Sequence, residues 1–407
     1  MKRFFLAVII ITFSVFSSAN AAVMKNTKPL VELPYTKADQ ISSVLLTPIS
    51  IIITGTTESP SSSWINGALA GVSDGFIASY SSLGAPLWNI RLGSNANEIA
   101  TSAAIDLDGS IWIAGATSAL VSPNPTAIPP KALNPDNVIL DPTAAVSTPL
   151  NRIKIWQISS SGNLLNSFEY IGEDIINPKK LLVTDSNLII LGSIYDKSSV
   201  AGFYLSASKS GVFTPIIKFG SKSTQINSAI SNKDGSITAV GSSGELLLKV
   251  KPLSKVDAVT LKISSAGVLQ QVARATLKTT SRSWSSIDAG LLQGGRVTYS
   301  NKTEAAITKF SALGKPVWNV RYSAKSSALV ANGSNSWATY ISSGAIKGVP
   351  AWKPKAATPV LIEFGKKGEV ISSHTLSAPA VAIAANNEIG TVVITDSGVA
   401  FGLVVVN

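Results

Sequence analysis

Six stretches of this chain share one short pattern, and their spacing limits what the chain can fold into. SSLGAPLWNIRL (81–92) and SALGKPVWNVRY (311–322) are nearly the same. SSSGNLLNSFEY (159–170), SKSGVFTPIIKF (208–219), SSAGVLQQVARA (264–275) and GKKGEVISSHTL (365–376) are looser copies. Each carries a glycine, at 84, 162, 211, 267, 314 and 368, with successive spacings of 78, 49, 56, 47 and 54 residues. That is a repeat of about 50 residues with one long insertion. Glycine at this point fits a tight hairpin turn that needs φ > 0.

A strand precedes each turn: GFIASY, IKIWQI, GFYLSA, AVTLKI, AAITKF and PVLIEF. The terminal VAFGLVVVN (399–407) is a seventh copy with no turn after it. Between these hairpins lies a second unit, IATSAAIDLDGSIWIAGATS (99–118), which has six relatives along the chain. Asp108-Gly109, Asp234-Gly235 and Gly294-Gly295 read as its turns. Gly55, Gly115, Gly192 and Gly241 recur near the end of its second strand. A full unit therefore holds four strands, A to D, and strand A is often rich in Ser and Ala, as suits strands converging on one axis. NPKKLLV, in the third unit, departs from that pattern.

Four-stranded antiparallel units at this period predict an all-β, seven-bladed β-propeller. There are seven A–B pairs and seven C strands, but only six D strands follow a C. PLVELPY (29–35) resembles PLWNIRL (86–92) and also runs into a strand A. It is expected to supply the missing D strand, pairing with the C-terminal strand and closing the ring, with Pro34 on an outer edge where proline is tolerated.

Residues 1–21 have the form of a secretory signal peptide: Lys2 and Arg3, an apolar run of 13 residues from Phe4 to Phe16, and small residues before a cleavage site near Ala21. The run is short of the roughly 20 residues that span a bilayer, and no later segment is long or apolar enough. Residues 22–407 are then one propeller domain, exported to the periplasm or the extracellular space. The chain has no cysteine, which excludes disulfides, thiolate metal sites and a lipid-modified N-terminal cysteine. Charge is uneven. Residues 22–200 hold 10 Lys and Arg against 14 Asp and Glu; residues 201–407 hold 22 against 9. A basic half of this kind attracts anionic polymers or surfaces, or is solvated charge on strands and turns.

Residues 74–118, DGFIASYSSLGAPLWNIRLGSNANEIATSAAIDLDGSIWIAGATS, resemble the bacterial β-propeller repeat family known as SBBP. The resemblance is clear over that unit, fainter over 152–322 and marginal in the last two blades. It implies the fold and export, and it brings no catalytic residue set.

Residues with chemical potential are few. His374 is the one histidine, expected on an outer strand in a structural or solvated role. Asp106-Leu107-Asp108-Gly109 lacks the further ligands of an EF-hand loop and reads as a turn. Gln40, Glu98, Asp174, Gln225 and Ser283 stand just before strand A in five blades, at one mouth of the channel. They either bind a polar ligand there or tie down their own D–A loops. On the same mouth, the Pro-rich insertion 116–151 and loops carrying Trp64 and Trp352 are the places where function often sits. Trp284 falls at the D–A junction of blade five. Tryptophan beside Lys347, Lys353 and Lys355 suits stacking on a sugar or contact with an anionic glycan.

The expected function is a non-catalytic binding or scaffold protein engaging a glycan, an envelope polymer or another protein, with no cofactor and no nucleic-acid partner. The alternative is a polysaccharide-acting enzyme, a glycoside hydrolase or lyase, using Glu98 and Asp174.

Overall fold

The computed structural model describes residues 22–36, 39–119, 149–276 and 278–407. Residues 1–21, read from sequence as a signal peptide, and most of the Pro-rich insertion lie outside them. Seven sheets surround one axis, each with its strands in the order A-B-C-D. Blade one is Gln40–Leu46, Ser50–Thr57, Asp74–Ser81 and Pro86–Leu92. Blade two is Glu98–Ile105, Ile111–Thr117, Arg152–Ile158 and Leu164–Ile171. Blade three is Ile175–Val183, Asn187–Asp196, Ser199–Ser208 and Ile217–Phe219; blade four is Thr224–Ser231, Ile237–Ser243, Asp257–Ile263 and Leu269–Ala275. Blade five is Ser281–Asp288, Leu292–Tyr299, Lys302–Phe310 and Pro316–Ser323. Blade six is Leu329–Asn332, Ser336–Ser342, Thr358–Phe364 and Val370–Thr375. Blade seven takes Ala380–Asn386, Gly390–Asp396 and Ala400–Val406 from the C-terminus and its strand D, Val31–Pro34, from the N-terminus.

Both faces of each sheet are apolar because both are buried between blades. In strand B of blade one Ile51, Ile52 and Ile53 are all at most 2% exposed. Ile51 and Ile53 join Phe401 and Leu403 of blade seven in one cluster, while Ile52 joins Ile111 and Ile113 of blade two in another. This is the physical meaning of apolar runs without alternation in an antiparallel sheet.

The glycine of strand B has a steric cause. Gly55, Gly115, Gly192, Gly241 and Gly295 lie opposite a β-bulge in strand A of their blades. A Cβ on any of them would fall 1.8–2.2 Å from the carbonyl oxygen of Gln40, Ile99, Asn177, Gln225 or Ser283, so only glycine fits there. Gly294-Gly295 is therefore not a turn, as the dipeptide suggested. It lies inside strand B of blade five, and the turn is the short 3-10 segment Ala289–Leu291. Blade six pairs Leu329 with Thr339 without a bulge and needs no glycine, whereas blade seven keeps a bulge between Ala380 and Ala382 with Thr395 opposite it.

The C–D turn glycines have φ of 72–88°. They also carry a rim contact between blades. Gly162 rests on the ring of Trp88 of blade one, Gly211 on Phe168 of blade two, Gly267 on Tyr204 and Ile217 of blade three, and Gly368 on Trp318 of blade five. Trp88 Nε1 donates to Ser160 O at 3.0 Å and the Tyr204 hydroxyl to Ser265 O at 2.6 Å. A Cβ built on Gly314, at the junction of blades four and five, would meet nothing within 4 Å.

The ring closes as expected. Val31 pairs with Leu403, Leu33 with Phe401 and Pro34 with Ala400 in antiparallel register. Tyr35 stacks on Phe401 at 4.5 Å and donates to Asp396 Oδ1 at 2.7 Å. One element has no counterpart in the sequence reading: Met24–Asn26 adds a fifth, parallel strand outside strand D of blade six. It covers His374, whose Nδ1 lies 2.8 Å from Thr27 Oγ1. Burial, the nearby Lys25 charge and these contacts give His374 a packing role, and burial first and then Lys25 push its imidazole below the usual range.

Deleting 399–407 removes the strand that both neighbours pair with, together with the buried Phe401, Leu403, Val404 and Val406. Four such side chains contribute about 6–12 kcal/mol as an upper estimate, comparable to the roughly 5–15 kcal/mol that stabilises a whole domain. The truncated chain is expected to yield no folded protein by circular dichroism and thermal melting. An unchanged melting transition would contradict the closure.

Candidate functional site

The residues singled out from sequence do not converge on one site. Trp64 is 8% exposed, lies edge-on to Phe76 and Phe401 and donates its indole N–H to Pro34 O at 3.0 Å. It pins the B–C loop of blade one over the closing strand. Trp284 is inside strand A of blade five, fully buried. Trp352 is half-buried against the core of blade six. Lys347, Lys353 and Lys355 are exposed around it on the same B–C loop.

Glu98 opens strand A of blade two and is 2% exposed. Its carboxylate accepts from Ser94 N at 3.1 Å, from the Ser94 hydroxyl and from Thr117 Oγ1 at 3.3 Å. Burial pushes its carboxyl up, against the pull of these donors. Asp174 accepts an ion pair from Lys218 of strand D of the same blade at 3.0 Å. Each carboxylate is thus engaged within its own blade, Glu98 with the D–A loop and strand B and Asp174 with strand D.

The same device recurs at positions that sequence reasoning passed over. Asp39 accepts from Thr57 Oγ1, Glu58 N and Ser59 Oγ at 3.0–3.1 Å. Glu245 accepts from Ser221, Lys222 and Ser223 N and from Thr224 Oγ1. Burial pushes the Glu245 carboxyl up, but these four donors outweigh it and leave the group below the usual carboxylate range. Asp74 and Asp257, the first residues of strand C in blades one and four, hold their B–C loops through Ala70 and Gly71 N and through Leu253 and Ser254 N. Each faces a strand-D arginine: Arg91 at 3.8 Å and Arg274 at 3.5 Å. The signal was present in the sequence as an aspartate at the head of SDGFIASY and VDAVTLKI and an arginine in NIRL and VARA.

A cavity of about 680 Å³ opens at the opposite mouth of the channel, on the A–B turn side. The ends of strands A of blades two to five line it, with Lys180, Lys233 and Asp288 as its charged groups. Asp288 accepts from Ala289 N at 2.7 Å and Asn332 N at 2.8 Å; Lys309 donates to Asn332 Oδ1 at 2.7 Å. Burial pushes Asp288 up and Lys180 down, each opposed by the charge of the other. Among the described residues no group of three His, Cys, Asp or Glu could hold a metal ion, and no helix is long and apolar enough to cross a membrane.

No protein-family model matches the chain, and no curated protein matches its sequence. Solved structures match it by fold. The Dos1 propeller covers 93% of this chain and 95% of its own, at 10% identity and a TM-score of 0.46. A protein of unknown function from Bacteroides caccae covers 84% of each chain at 12% identity and a TM-score of 0.38. NanB sialidase from Streptococcus pneumoniae covers 92% of this chain and 70% of its own at 10% identity and a TM-score of 0.44.

Glu98 sets a pH dependence with a definite sign. Its folded carboxyl titrates above its unfolded one, so the folded chain binds the proton more tightly and stability falls as pH rises between the two values. Glu98→Gln is expected to remove that fall. Urea midpoints of both chains measured from pH 4 to 7 check it; parallel profiles would contradict it.

Proposed function

We propose that the chain is an exported, non-catalytic propeller scaffold that binds an acidic polymer of the cell envelope through its basic half. The observation that carries this reading is the B–C loop of blade six. Lys347, Lys353 and Lys355 are all exposed there, and none takes part in an ion pair among the described residues. Trp352 packs against the core of blade six and anchors the loop. Three uncompensated cations on one anchored loop, in the half of the chain with 22 basic against 9 acidic residues, form a docking surface for repeated negative charge.

Binding is favoured over glycoside chemistry by what the two candidate carboxylates do. Glu98 is buried with its lone pairs taken by loop donors, and Asp174 is ion-paired. A glycosidase needs two carboxyls facing one bond across roughly 5–9.5 Å. The likeness of residues 74–118 to SBBP-type repeats supports placing the chain among exported repeat proteins, and the signal-peptide pattern of residues 1–21 supports export.

Retention on immobilised acidic polysaccharide tests the reading. The protein is expected to bind at low salt and to elute as ionic strength rises and the screening length shortens to about 10 Å at 0.1 M. Replacing Lys347, Lys353 and Lys355 together with Gln is expected to remove most of the retention without changing the melting temperature. No retention of the native chain at low salt, or retention indifferent to salt and to the triple change, would overturn it.

A further inference from the structure

The rim contact between blades fails at one junction, and the failure leaves a site. Aligning strands D on their arginines, Arg91, Arg274 and Arg321, places Gln271 of blade four where blades one and five have Trp88 and Trp318. Ala273 likewise stands where they have Ile90 and Val320. With no aromatic of blade four against it, the space beside Gly314 of blade five stays open: a Cβ there would meet nothing within 4 Å. The space is two adjoining cavities of about 450 and 310 Å³ that share Thr260, Ala273, Phe310 and Gly314, within the range of about 300–1,000 Å³ usual for small-ligand sites.

Arg282, in strand A of blade five, lines the larger cavity. Its guanidinium lies 4.5 Å above the ring of the fully buried Trp284, which is itself edge-on to Phe310. Its Nε is buried without a hydrogen-bond partner. Arg274 and Arg321 line the same cavity but have carboxylates, Asp257 at 3.5 Å and Glu304 at 3.3 Å. Arg282 has none among the described residues. Burial, and then the like charge of Arg321, push its guanidinium down to about 10, so it remains a cation at neutral pH. A half-buried cation held by an aromatic face alone, beside a second cation and open to a cavity, lacks the anion that normally accompanies such a group.

We propose that this groove between blades four and five binds one acidic sugar unit, its carboxylate on the Arg282 fork beside Arg321. The planar guanidinium matches a carboxylate in two-pronged geometry. Thr308 and Asn319 offer partners for ring hydroxyls, and Phe310 and Pro316 an apolar wall for a ring face. The inference takes from the proposed function only the acidic character of the ligand; it concerns a different surface from the blade-six lysines.

Isothermal titration of the full chain with glucuronate, glucose and inorganic phosphate tests it. Saturable one-to-one binding of glucuronate is expected, with none of glucose and at least tenfold weaker binding of phosphate. Arg282→Gln should weaken glucuronate at least tenfold. Gln271→Trp, which installs the missing rim contact, should abolish binding while the melting temperature holds or rises, and it keeps the test decisive should Arg282→Gln fail to fold. Absence of glucuronate binding, phosphate binding as tight as glucuronate, or binding unchanged in Gln271→Trp would overturn the assignment. Polymer retention without glucuronate binding defeats this site and spares the proposed function; glucuronate binding without polymer retention does the reverse.

Discussion

Phe401 holds together parts of the chain that are remote in sequence. Its ring stacks on Tyr35, meets the edge of Trp64 and shares a cluster with Ile51, Ile53 and Phe76. Its backbone pairs with Leu33 on one side and Asp396 on the other. A ring of blades keeps every sheet face covered only if its first and last blades are fastened, and here blade seven is built from both ends of the described chain. A strand there without its partner would expose a ladder of backbone groups and an apolar face together. The other junctions and both mouths of the channel take their positions from that fastening.

Once the ring is fixed, its charges separate into two kinds. Carboxylates at strand ends, the buried Asp39, Asp74 and Asp257 and the half-buried Glu245, satisfy loop N–H groups that would otherwise be stranded where blades crowd together. They are structural, and Glu98 joins them. The cations are less completely used. Lys347, Lys353, Lys355 and Arg282 have no carboxylate among the described residues, and all four lie in the basic half. The contrast between spent carboxylates and unspent cations is what supports the proposed binding of anions.

The blade count and the closure were legible because a propeller repeats: a missing strand D can be counted, and 29–35 matches 86–92. Single departures from the repeat were harder to read. Gly294-Gly295 has the composition of a turn, yet one of the two answers a bulge carbonyl, a demand that only three-dimensional pairing reveals. Trp64 and Trp284 look alike as loop tryptophans, but one pins the closure and the other lies beneath Arg282. Met24–Asn26 has three residues and no pattern that could have announced a parallel strand. The groove was within reach, since Gln271 breaks the Trp88 and Trp318 position, but its meaning needed the knowledge that this position supports the next blade's glycine.

The fastening of the ring is tested most directly by a cross-link. Pro34 and Ala400 face each other across the closing pair, at a site where the neighbouring hydrogen bonds leave side chains close, and the chain has no cysteine of its own. With Pro34→Cys and Ala400→Cys together, mild oxidation should give one intramolecular disulfide, seen by mass spectrometry of the unreduced digest, and a higher melting temperature. Two free thiols in a folded chain after the same oxidation would mean that the ends do not meet there.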